Sequence, residues 1–238
     1  MTSKQQLFNK YKTTLSSIEL FKGLNSEQWL ELLSYFHEEK WIKNTCVVNY
    51  QKFLYHFYII TSGRLKMYNT DEFSEKEHTL FLLKKGDVFD LFCLLDGIKH
   101  HVYYECLDTV KVLAIPMDIL RDWLIKNPAY YQTFLSYAGK MMRSLESNVS
   151  QLIFTNISTR LIRLLLDNID ERSNQLQNIN DLPNKELASL IGSTRAVVNR
   201  HLQDFKKNGS IRLARNHVEI KDIRLLLKEL EKQMKNHK

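Results

Sequence analysis

Hydrophobic periodicity changes character at Pro116, and no other feature of the chain restricts its fold as strongly. Residues 41–115 carry short alternating or β-branched runs, whereas residues 116–238 read mostly as helix. Candidate strands cover 41–48, 57–60, 64–68, 78–83 and 110–115, separated by turn signals at Thr61-Ser62-Gly63, Asn69-Thr70-Asp71 and Lys84-Lys85-Gly86-Asp87. Several short strands at close spacing predict an antiparallel roll or barrel. Ahead of them, residues 26–36 read as a short helix with Ser26 as N-cap and Trp29, Leu32, Leu33 and Phe36 on one face. The fold class is α+β.

The helical part opens with a long segment from Asn127-Pro128 to about Phe154. Phe134, Ala138, Met141, Leu145, Asn148 and Leu152 recur at alternating spacings of four and three, the spacing of a coiled-coil seam. A single Asn in such a seam favours two strands in fixed register, so a parallel homodimer is expected. A second stripe, Tyr131, Leu135, Met142 and Val149, is also apolar and is expected to pack on the roll. The alternative is that both stripes are buried core.

Charge divides at the same end of the chain. The 238 residues hold 34 Lys and Arg against 27 Asp and Glu, a net +7. From Phe154 onward there are 16 basic and 10 acidic residues, so the last third carries +6 and the rest +1. Such asymmetry points to an anionic partner for the C-terminal third, nucleic acid first. No apolar run reaches the roughly 18 residues of a membrane span and the start is polar, so a cytoplasmic chain with no membrane partner is expected. Cys46, Cys93 and Cys106 form no CxxC pair and are expected to be reduced.

Within the basic third, Leu187, Ala188 and Ile191 form the inward face of a helix that ends at Gly192, after which Thr194 can cap a second helix. Val197, Val198, Leu202 and Phe205 supply the buried side of that second helix, and Arg195, Ala196, Asn199 and Arg200 lie on its early exposed side. Arg and Asn suit bidentate contact with guanine and adenine edges, so this is a helix-turn-helix whose second helix reads double-stranded DNA. Two short strands, 210–214 and 217–220, follow as a wing. Lys206, Lys207, Arg212 and Arg215 are placed to touch phosphates, which positions the protein without specifying sequence.

These residues carry a resemblance. Glu186-Leu187-Ala188, Ile191-Gly192, Thr194-Arg195, Val198-Asn199-Arg200, Gly209-Ser210-Ile211 and Val218-Glu219-Ile220 are similar to the winged helix-turn-helix of the Crp/Fnr transcription regulators. Residues 57–68 and Lys85-Gly86-Asp87-Val88-Phe89 resemble that family's cyclic-nucleotide-binding-like β-roll, and the segment after Asn127-Pro128 resembles its dimerisation helix. The resemblance implies a β-roll sensor over 1–115, a dimer helix over 116–153 and a DNA-binding domain over 154–238. It further implies a homodimer on a pseudo-palindromic operator, with a small-molecule effector unknown and RNA polymerase as a candidate further partner. Ala196 departs from the family pattern, in which many members carry Glu there; a methyl offers only an apolar contact, for example to thymine.

The resemblance also implies an effector pocket. The family's Gly-Glu-Leu positions fall on Asp90, Leu91 and Phe92, its Arg-Ser positions on His100 and His101, and its adenine contacts on Leu145 and Glu146. The Glu is missing and neutral imidazole is a weak replacement for a guanidinium that grips phosphate, so cyclic AMP is not the expected effector. His100-His101 with Glu105 gives no recognisable metal site, and neither a cofactor nor a catalytic constellation is expected. The competing class, a ligand-binding roll with a vestigial DNA head, predicts no preferred DNA sequence.

Overall fold

The computed structural model describes residues 3–46, 55–71, 76–170, 173, 175–215 and 217–235. It divides into two compact units, one formed by residues 1–68 and 81–144, the other by residues 69–80 and 145–238. None of the described helices is long and apolar enough to cross a membrane.

The first unit opens with α1 (Ser3–Ser17), a 3-10 turn (Glu19–Phe21) and α2 (Ser26–Leu33). The cap of α2 is Asn25, not the expected Ser26: Asn25 accepts from the Gln28 amide while the Gln28 side chain accepts from the Asn25 amide, a reciprocal capping box. β1 (His37–Trp41), β2 (His56–Ser62), β3 (Leu65–Thr70), β4 (Glu77–Leu83), β5 (Val88–Phe89), β6 (Tyr103–Cys106) and β7 (Val110–Pro116) follow, with α3 (Leu91–Asp96) between β5 and β6. They form a four-stranded sheet in the order β1-β7-β2-β5 and a three-stranded one in the order β4-β3-β6.

The first strand differs from expectation. It ends at Trp41, because the chain turns through Asn44 at φ +62°, and only Cys46 returns to bridge Glu105. Val47 and Val48 lie outside the described residues.

One core fills the first unit. Leu15, Leu20, Phe21, Leu32 and Leu33 from the N-terminal helices meet Phe57, Ile59, Leu113 and Ile115 from the sheet and Leu120 and Leu124 from α4 (Met117–Lys126). After a 3-10 turn at Pro128–Tyr130, α5 runs from Tyr131 to Phe154. Phe134 is fully buried in this core, its ring set edge-on to Phe21 at 5.6 Å and 6.3 Å from Phe57.

That placement corrects the expected helix faces. Phe134 is fully buried in the intramolecular core, and Ala138 and Met141, also expected in the seam, pack partly against it. The second stripe, expected on the roll, faces solvent: Tyr131 is 36% exposed, Leu135 54%, Met142 65% and Val149 53%. Both stripes repeat every seven residues, so that period alone cannot tell which one turns inward. Leu145, Asn148 and Leu152, the rest of the expected seam, are half-buried.

The turn from β2 to β3 depends on Gly63, whose φ is +84°. A Cβ there would meet the Thr109 carbonyl oxygen at 2.6 Å. Beside it the Arg64 guanidinium donates twice to Asp108, at 2.6 and 2.8 Å, locking this turn to the segment before β7. Gly63→Ala therefore carries both a backbone penalty of about 1–3 kcal/mol and a steric clash. Denaturant unfolding is expected to give a midpoint lowered by at least the equivalent of that penalty; an unchanged midpoint would show that the turn relaxes freely.

Candidate nucleic-acid interface

In the second unit, α6 (Ile157–Asp167) starts at Asn156, whose side chain accepts from the Thr159 amide at 2.8 Å. α7 (Asn184–Leu190) packs against α8 (Arg195–Lys207) through buried Leu187, Ala188, Val198 and Leu202. The turn between them is tight. Gly192 sits at φ +61°, a left-handed backbone that favours glycine, and a Cβ on it would meet a terminal methyl of Leu152 at 2.6 Å, which that side chain would have to move aside to admit. Ser193 then donates its amide to the Ala188 carbonyl, and Thr194 caps α8 by accepting from the Val197 amide at 3.4 Å.

With one side of α8 committed to the core, the opposite side is fixed. Arg195, Ala196, Asn199 and Arg200 are all exposed on its first two turns, with Lys206 and Lys207 exposed at its end. Arg195 and Asn199 border a groove of about 360 Å³ together with Asn184, Gln203 and the wing residues Ala214 and His217.

The wing consists of β8 (Ile211–Ala214) and β9 (His217–Ile220), paired antiparallel with Ile211 opposite Ile220 and Ala214 opposite His217. Asn216, half of the expected turn, lies outside the described residues; Arg215 is exposed. Arg212 lies opposite Glu219 and forms a loose 3.9 Å ion pair with it.

One residue that anchors this arrangement escaped the sequence reading, which placed Ser210 at the start of a strand. Ser210 is fully buried; its hydroxyl donates to the Phe205 carbonyl, and its own carbonyl accepts the amides of Lys221 and Asp222. It ties the end of α8 to both sides of the wing. The signal available was the Asn208-Gly209-Ser210 sequence, in which the Asn208 side chain accepts from the Ser210 amide.

The interior of the roll has different chemistry. Tyr58 and Phe89 stack with centroids 4.8 Å apart and Phe89 lies 5.2 Å from Tyr104. Asp90, only 4% exposed and held at φ +62°, accepts from the Tyr104 hydroxyl at 2.9 Å through Oδ1, while its Oδ2 has no hydrogen-bond partner among the described residues.

Two segments of the chain match described families separately: residues 38–127 a cyclic nucleotide-binding domain, and residues 159–229 a Crp-like helix-turn-helix domain. The chain belongs to the Crp/Fnr family of transcription regulators.

This Crp/Fnr regulator is 28% identical over 169 residues to the CRP-like cAMP-activated global transcriptional regulator of Mycobacterium tuberculosis, covering 69% of this chain and 75% of that one. It is 24% identical over 207 residues to the cyclic AMP receptor protein of Thermus thermophilus, covering 87% and 94%. Among solved structures, a CooA variant from Carboxydothermus hydrogenoformans shares the fold with a TM-score of 0.69 at 23% identity, over 89% of this chain and 95% of that one. The protein is thus a DNA-binding transcription regulator of the Crp/Fnr type.

The regulator's expected effector residues are dispersed in character. Asp90 and Leu91 are buried, Phe92 and His100 are half-buried with their rings 5.9 Å apart, and His101 is exposed. Leu145 and Glu146 belong to the second unit. Burial pushes the His100 imidazole below its ordinary value, which weakens it further as a phosphate ligand.

Desolvation raises the Asp90 carboxyl to about 7, against the Tyr104 hydrogen bond that lowers it. In the unfolded chain an Asp titrates near about 4, so between these values the native state binds more protons than the unfolded one. Stability from Asp90 is therefore greatest in acid, falls as pH rises through this window and levels off above about 7. Relative to Asp90→Asn, the parent protein is expected to lose about 1 kcal/mol per pH unit between pH 5 and 7 in urea unfolding. A constant difference between the two proteins across that range would remove the carboxyl as the source.

Proposed function

We propose that two copies of the regulator join along the exposed stripe of α5 and place their α8 helices in successive major grooves of a pseudo-palindromic operator. The observation that carries this reading is the single exposed strip of Arg195, Ala196, Asn199 and Arg200 on a helix whose other side is committed to the core. A two-fold dimer puts the half-sites about one helical turn, ~34 to 36 Å, apart. Arg195 and Arg200 take guanine edges or phosphates, Asn199 reads a base, and the Ala196 methyl contacts thymine. Thr194, Lys206, Lys207 and Arg215 clamp the backbone, with Arg212 joining them once its loose pair with Glu219 opens.

The effector is a ligand other than cyclic AMP. Asp90 replaces the family's Glu and is engaged by Tyr104, and no guanidinium stands at the His100-His101 positions.

An unbiased selection from random duplexes, followed by gel-shift titration, tests the reading of DNA. The parent protein is expected to enrich a palindromic sequence whose affinity falls steeply with salt, as counterion release requires. Arg200→Ala is expected to lose discrimination by about tenfold or more while retaining non-specific binding. Undiminished sequence preference in that variant would withdraw Arg200 from the reading surface.

The dimer is tested on the solvent-facing stripe. Met142→Asp places a charge in the proposed seam and is expected to shift native mass spectra from dimer to monomer. A variant that stays dimeric would locate the interface elsewhere.

A further inference from the structure

We infer that Asn184, on the first helix of the helix-turn-helix, sets the hydrogen-bonding direction of Asn199 and so helps to choose the base that Asn199 reads. The inference rests on the proposed role of α8 as the reading helix. Asn199 is exposed on α8 and its amide, taken alone, can turn either end toward a base edge. Asn184 restricts that choice. It lies at the first position of α7, where the cap is Pro183 and the Asn184 side chain takes no part in capping. Its Nδ2 donates instead across the helix pair to the Asn199 Oδ1, at 3.3 Å.

The two helices are held together by buried Leu187, Ala188, Val198 and Leu202, so the amides are brought together by a packed core and not by chance encounter on a mobile surface. Both amides border the groove that also receives Arg195 and the wing.

The consequence is chemical. With Oδ1 engaged on the α7 side, Asn199 presents its Nδ2 donor toward the remaining space. A major-groove edge must then offer an acceptor. Adenine and guanine offer N7 and thymine offers O4, whereas cytosine presents only its amino donor. Adenine is satisfied best, because its amino group can use the second lone pair of Oδ1 while N7 accepts from Nδ2. Cytosine is the base selected against.

Three variants of the full-length protein separate this from a structural role: Asn199→Ala, Asn184→Ala and Asn184→Asp. The operator found by selection is rebuilt with each of the four bases at every half-site position, and fluorescence anisotropy ranks the four. The parent protein is expected to disfavour cytosine by about tenfold at one position per half-site. Asn199→Ala should erase that preference. Asn184→Ala should reduce it to about threefold with affinity for random duplex unchanged, since the amide loses its orientation but not its groups. Asn184→Asp is the decisive arm. A carboxylate accepts where Asn184 donated, so the Asn199 amide turns over, Oδ1 faces the base and cytosine rises in rank, even though the added charge weakens binding to every sequence.

If Asn199→Ala erases the preference but both Asn184 variants keep the parent ranking, Asn184 does not orient the reader and the inference is overturned. Equal weakening of all sequences by Asn184→Ala would overturn it as well, assigning Asn184 to helix stability. An unchanged ranking in Asn199→Ala removes Asn199 as a reader and the inference with it, leaving the rest of the reading helix standing. Enrichment of no sequence by the parent protein would instead sink the proposed function.

Discussion

The burial of Phe134 sets the rotation of the long helix, and the outward face of the regulator depends on that rotation. An aromatic ring enclosed by Phe21 and Phe57 costs about 3–5 kcal/mol to remove, enough to outweigh any preference along the rest of the helix surface. Once Phe134 points inward, Ala138 and Met141 follow it at helical spacing. Leu135, Met142 and Val149 are then turned to solvent. Three large apolar side chains seven residues apart on one exposed stripe form the kind of surface a second helix covers. The apolar face available for association is thus decided by an intramolecular contact.

The DNA-reading part relies on a different device, in which buried backbone polar groups are satisfied by small side chains. Gly192 lets the chain turn from α7 to α8 through a left-handed backbone, and Ser210 joins the end of α8 to the wing with three backbone hydrogen bonds. Each such bond contributes about 1 kcal/mol net, but leaving the groups buried and unpaired would cost more. The second helix, its turn and its wing are therefore tied together by hydrogen bonds within one compact unit. A base-reading side chain gains from this, because displacement by about an ångström breaks a bidentate contact.

Legibility in the sequence followed how local the deciding interaction was. The two helices, the Gly192 turn and the wing were readable because cap, turn and strand signals lie within a few residues of one another: Thr194 caps Val197, and Ala214 meets His217. Expected strand limits at 57–60, 78–83 and 110–115 lie within one or two residues of β2, β4 and β7 for the same reason. The burial of Phe134 was not readable, since its partners Phe21 and Phe57 are 113 and 77 positions away and the competing stripe repeats with the same seven-residue period. β6 was missed because Tyr103–Cys106 carries a charged Glu105, whose carboxylate is taken up by Lys66 from the neighbouring strand at 2.6 Å. Asn25 displaced Ser26 as a cap because only Asn25 stands three residues before a glutamine that can answer it.

Ion pairing separates the charges of the two units by use. In the roll, Arg64 is matched by Asp108 and the fully buried Lys66 by Glu105, because a cation taken out of water without a partner would be strongly destabilising. On the reading helix Arg195, Arg200, Lys206 and Lys207 are exposed, and none forms an ion pair among the described residues. Remaining solvated costs such groups little, and a phosphate can displace water without first breaking a salt bridge. On the wing, Arg212 pairs loosely with Glu219, whereas Arg215 is exposed and forms no ion pair among the described residues, so under the proposed reading the wing's phosphate contact rests first on Arg215. Among the described residues, most basic side chains of the last third form no ion pair, which under the proposed reading leaves them solvated and open to phosphate.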